Sequence, residues 1–83
     1  MHMFITYIIQ SESTRKYYCG QTGNLEDRLL RHNTDRSKST KRKGPWKLIK
    51  YFQFDTRGEA IILENKIKSR GIQRFLEETK ESG

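Results

Sequence analysis

The run from Met3 to Gln10 reads Met-Phe-Ile-Thr-Tyr-Ile-Ile-Gln, and only the polar stretch Ser11-Glu12-Ser13-Thr14 separates it from a second short run, Lys16 to Gln21. Branched and aromatic residues in runs of this length are strand composition, and so short a polar link joins them through a turn. This hairpin is the strongest constraint on the fold, because it commits the chain to a sheet that the remaining residues must cover. With the polar stretch as the loop, Gln10 faces Arg15 and Tyr7 falls opposite Tyr18. Both phenols then emerge on one sheet face.

The rest of the chain supplies that cover. Asn24 is a helix cap, Asp27 three residues on favours the positive helix end, and Leu25 and Leu29 form an apolar stripe in a helix that ends near Asp35. Arg36 to Gly44 has no apolar anchor and is expected to be a mobile basic loop. Pro45 stands before a third strand, Trp46 to Phe54. Thr56 and Glu59 form a capping box that opens a helix through Ala60, Leu63 and Ile67, and Gly71 terminates it. A short helix over Ile72 to Thr79 follows. With 83 residues the chain supports a single domain, 1–83, of the α+β class.

The charge of +7 is spread from Arg15 to Lys80 and points to a polyanionic partner, with nucleic acid first. Cys19 is the only cysteine, which excludes an internal disulfide and a Cys-rich zinc site, and His2 and His32 lack the spacing of a finger. A reducing, cytoplasmic home fits that usage. The apolar opening has no basic start and no cleavage site, so neither export nor membrane insertion is expected.

Three positions are uncomfortable for a plain soluble fold. Arg28 and His32 sit one helical turn apart, leaning toward the stripe that faces the sheet. Either alone is ordinary: a satisfied structural histidine, a snorkelling arginine. Glu64 falls between Ala60 and Ile67 on a core-facing arc, and a carboxylate there needs a partner. An ion pair with Arg28 or a lysine, and a metal or catalytic role, are both open for it.

The order of these residues resembles the GIY-YIG endonuclease family. Ile5-Thr6-Tyr7 corresponds to the first half-motif and Tyr18-Cys19-Gly20 to the second. Thr22, Asn24-Leu25, Arg28-Leu29, His32-Asn33, Glu59-Ala60 and Glu64 follow in order. The likeness runs from Phe4 to about Ile72 and is greatest to short stand-alone members, which are similar to the N-terminal nuclease domain of the bacterial excinuclease. The chain departs from the pattern at Thr6 and Cys19, where branched apolar residues are usual, and at Gln21, where some relatives carry a lysine.

The resemblance implies a three-stranded antiparallel sheet flanked by helices, and a DNA endonuclease of the kind that serves repair or recombination. It implies a reaction centre of Tyr7, Tyr18, Arg28, His32 and Glu64. Glu64 is expected to hold one Mg²⁺ or Mn²⁺ ion, with Arg28 on the phosphate, Tyr7 as general base helped by His32, and Tyr18 on the water or phosphate. Arg36, Lys38, Lys41, Arg42 and Lys43 are expected to contact backbone phosphates without reading bases, so sequence specificity should be slight. Competing readings are a binding module without turnover and a small RNA-binding protein stacking bases on Tyr17, Tyr18 and Phe52. The sequence leaves open whether a protein partner supplies targeting, and it sets no oligomeric state.

Overall fold

The structure, a computed structural model, describes residues 3–34 and 43–80. Its elements are β1 (Phe4–Ser11), β2 (Tyr17–Thr22), α1 (Leu25–Asn33), β3 (Trp46–Phe54), α2 (Arg57–Arg70) and α3 (Ile72–Lys80). The strands form one antiparallel sheet in the order β2-β1-β3, so β1 is central. The α+β architecture is the expected one. Among the described residues no helix is long and apolar enough to cross a membrane.

The hairpin register differs from the sequence expectation. Tyr7 pairs with Gly20 and Tyr18 with Ile9, a slip of two residues from the pairing of Tyr7 with Tyr18. The cause is the fate of Ser11. It stays in the strand, fully buried, and its hydroxyl accepts from the backbone N–H groups of Ser13 (3.2 Å) and Thr14 (3.0 Å) while donating to the Lys43 carbonyl. The ladder therefore closes at Ser11 with Lys16, and Arg15 takes the left-handed conformation of the turn (φ 67°). Because side chains alternate with a period of two, a slip of two keeps both tyrosines on one face.

That alternation divides the core into two layers. Tyr7 and Ile9 point to the face covered by α1, where they pack with Trp46, Ile5, Tyr18, Leu25 and Leu29. Ile8 and Cys19 point to the other face, where Ile67 and Leu63 of α2 and Phe75 of α3 cover them. Burying each of Ile8, Ile9 and Ile67 fully contributes about 1.5–3 kcal/mol. The departures from the half-motifs are packing positions. Thr6 is fully buried on the α2 side and its hydroxyl donates to the Ala60 carbonyl at 2.7 Å, so a branched polar residue is satisfied where an apolar one would fit.

The helix ends follow local chemistry. Asn24 caps α1 by accepting the Asp27 N–H at 3.0 Å, and Thr56 caps α2 by accepting that of Glu59 at 3.2 Å. Gly71 ends α2 at φ 96°, a conformation that penalises any side chain. At its far end α1 is clamped to β3: Asn33 Oδ1 accepts the Trp46 N–H at 2.6 Å, and its Nδ2 donates to the Trp46 carbonyl at 3.2 Å. This clamp fixes the helical turn that carries His32.

Candidate active site

Tyr7 and His32 form the centre. Tyr7 comes from the middle of β1, His32 from the last turn of α1, and the phenol oxygen lies 2.9 Å from His32 Nε2 with both side chains buried. Tyr18 closes the group from β2, its ring edge-on to His32 at 5.1 Å and tilted against Tyr7 at 6.4 Å. Unlike Tyr7, Tyr18 is only half-buried, so it is the phenol nearer to solvent. Trp46 backs the imidazole at 6.4 Å.

Gly20 makes this packing possible. A Cβ at that position would lie 2.7 Å from the Tyr7 oxygen and 2.9 Å from the ring carbon bearing it. The Tyr7 ring thus lies over bare backbone, which explains physically why a glycine follows Tyr18 at a spacing of two.

The electrostatics set the protonation states. Burial, and then Tyr18, hold the Tyr7 phenol well above its ordinary value, while Arg28 partly opposes them. Burial, and then the Arg28 charge, push His32 below the usual imidazole range. At neutral pH the pair is therefore a neutral phenol hydrogen-bonded to a neutral imidazole. Arg28 is half-buried one turn before His32, and among the described residues it pairs with no carboxylate. Among the described residues its charge acts on the Tyr7 phenol and the His32 imidazole rather than on an acid.

The depressed His32 value has a consequence for stability. Between the folded and unfolded imidazole values the unfolded chain binds the extra proton, so His32 stabilises the fold fully above the ordinary imidazole range. That contribution is lost as pH falls through the lower folded value. We predict that the urea midpoint falls more steeply on acidification in the native protein than in His32→Gln; parallel profiles for the two would refute it.

Glu64 lies in the other layer. It is carried by α2, its side chain is 16% exposed, and its Oε2 accepts from Lys68 Nζ at 2.7 Å one helical turn on. The lysine side chain is 51% exposed. Of the partners open to Glu64 in the sequence, a lysine is the one it has. Its charge nevertheless bears on Tyr7, and burial followed by Glu64 pushes the Cys19 thiol up to about 11. The structure therefore brings Tyr7, Tyr18, Arg28 and His32 together on the α1 face and sets Glu64 beside the β2 edge, within electrostatic range but not in hydrogen-bond contact with them.

Among the described residues no three His, Cys, Asp or Glu side chains converge as a metal cage. A hard divalent ion that keeps most of its waters is the kind of cation a single carboxylate such as Glu64 suits. Of the basic segment, Arg36, Lys38, Lys41 and Arg42 lie outside the described residues. Lys43 is exposed, with its carbonyl held by the Ser11 and Ser13 hydroxyls.

A family model described as the GIY-YIG catalytic domain matches residues 3–73. The chain belongs to the GIY-YIG family. This is a family of nucleases, and the match spans every residue of the candidate site. Among curated proteins, the GIY-YIG chain is 36% identical over 75 residues to the UPF0213 protein YsiG of Lactococcus lactis, covering 89% of this chain and 71% of that one. It is 40% identical over 60 residues to a UPF0213 protein of Nitratidesulfovibrio vulgaris, 71% of this chain and 54% of the relative. A third UPF0213 protein, from Haloquadratum walsbyi, is 36% identical over 64 residues, 76% and 71% of the two chains. The solution NMR structure of a UPF0213 protein from Bacillus halodurans superposes with a TM-score of 0.60 at 22% identity, covering 98% of this chain and 86% of that one, which supports the GIY-YIG fold alone.

Proposed function

We propose that the protein is a metal-dependent endonuclease that hydrolyses DNA phosphodiester bonds with little intrinsic sequence preference, in the setting of repair or recombination. The observation that carries the reading is the buried Tyr7–His32 pair, held at 2.9 Å beside Tyr18 and an arginine with no carboxylate partner among the described residues.

Tyr7 is a poor base alone, because burial keeps its proton on. It serves when His32 Nε2 takes that proton in the same step in which the phenol oxygen removes one from the attacking water. Tyr18, the more exposed phenol, orients the water and the phosphate. Arg28 donates to the phosphoryl oxygens, where a planar guanidinium reaches two at once and stays charged at any working pH. Glu64 would hold one Mg²⁺ or Mn²⁺ through its carboxylate, in place of its contact with Lys68. When bound there, such an ion would relieve charge on the phosphate and the departing alkoxide. Lys43 and the basic residues Arg36, Lys38, Lys41 and Arg42 hold the DNA backbone.

The RNA-stacking alternative loses support, since Tyr17 and Phe52 both pack into the α2–α3 core and Phe52 meets Phe75 edge-to-face at 6.0 Å. The binding-module alternative is separated by turnover. Duplex, branched and single-stranded DNA incubated with the protein are expected to be cut with Mg²⁺ or Mn²⁺ and left intact with EDTA. Binding without cleavage under every condition would replace the nuclease by the binding module.

A further inference from the structure

Arg57 is the first residue of α2 and is exposed, yet its guanidinium is fixed by two contacts. One Nη1 hydrogen is donated to Gln21 Oε1 on β2 at 3.0 Å, and the guanidinium carbon stands 4.8 Å above the Phe4 ring of β1. Neither partner is anionic, and among the described residues Arg57 forms no ion pair. A guanidinium has five N–H donors, so most remain available while the side chain is already ordered. An arginine normally surrenders rotamer entropy when it grips an anion, and folding has largely removed that cost here.

Its place on α2 is equally telling. Glu64 follows by seven residues, which at about 100° per residue returns to nearly the same helix flank, roughly 10 Å along the axis. Lys68 is one turn further on. The same flank faces β2, because Arg57 meets Gln21 and the charges of Glu64 and Lys68 bear on Cys19. Cations thus bracket the acid along the α2–β2 seam.

We infer that Arg57, pre-set by Gln21 and Phe4, is a fixed nucleic-acid phosphate contact, and that the strand to be cut lies along the α2–β2 seam. The inference rests on the nuclease reading above. It also gives Gln21 a role: the position supplies no charge itself but orients a cation delivered from α2.

The test is binding of a fluorescent DNA duplex across a salt series without added divalent cation, so that the DNA stays whole. Removing one phosphate contact in Arg57→Gln should lower the salt slope by about 0.9 and weaken binding about fivefold at moderate salt. Gln21→Ala keeps the charge but frees the side chain, so the slope should hold while affinity falls about twofold. Unchanged melting temperatures check that both variants fold. A native slope in Arg57→Gln overturns the phosphate contact, and native affinity in Gln21→Ala overturns the pre-setting. Failure of the native protein to bind DNA overturns both the inference and the nuclease reading. A native protein that binds and cuts while Arg57→Gln matches it in slope overturns the inference alone.

Discussion

Glu64→Ala is expected to lower metal-dependent DNA cleavage by about 10³-fold while duplex affinity changes by less than about threefold. The size follows from the several kcal/mol that a well-placed cation contributes to the transition state, at about 1.4 kcal/mol per tenfold in rate. The ion pair with Lys68 does not stand in the way. It joins the carboxylate to a half-exposed ammonium at the usual helical spacing, and that lysine can turn into solvent when a divalent ion takes its place. For the same reason the variant should fold as the native chain does. The measurements are single-turnover cleavage with Mn²⁺, duplex binding by fluorescence polarisation, and broadening of amide resonances near residue 64 on Mn²⁺ titration. Cleavage at the native rate in Glu64→Ala would remove this residue from the reaction.

Gly20→Ala should damage both stability and activity. The added methyl would arrive 2.7 Å from the Tyr7 oxygen and 3.2 Å from Tyr18 Cε2. A flexible, exposed side chain would simply move aside. Tyr7 is 1% exposed and bonded to His32, so retreat means giving up that hydrogen bond. Overpacking costs about 1–3 kcal/mol and a buried polar group left without its partner about 1–3 kcal/mol more. We therefore expect a loss of about 2–6 kcal/mol in urea denaturation and a fall of roughly 10²-fold in cleavage under conditions where the variant is folded. A stability within about 0.5 kcal/mol of native would mean that the pocket relaxes without cost.

What is legible in the chain alone depends on the range of the interactions involved. The strand runs, the Asn24 and Thr56 caps and the Gly71 stop are set by neighbours within a few residues; the caps, the stop and the third strand lie where the sequence places them, and the first two strands are displaced by one residue, with Ser11 taken from the loop into β1. Arg28 and His32 on the inward side of α1 also follow from local helical phase. The hairpin register does not, because Ser11 is drawn into the sheet by a carbonyl 32 positions away. Nor does the division of the site between two layers. Helical phase reveals that Glu64 leans inward but not which sheet face its helix covers. Arg57 has no local mark of its role because its partner Gln21 is 36 positions away, although its spacing of seven from Glu64 on a helix opened by Thr56 is a usable signal. Asn33 resembles an ordinary helix-end residue until Trp46 is folded against it.

The placement of β1 between β2 and β3 bears on how the protein is made. Tyr7, Tyr18, Arg28 and His32 all precede β3 in the chain, but β1 gains its second neighbour only when Phe54 has emerged, and Glu64 arrives later still. A nascent chain therefore carries the phenols and the guanidinium before it has the acid. On the proposed reading, the candidate site is complete only once α2 has docked on the sheet.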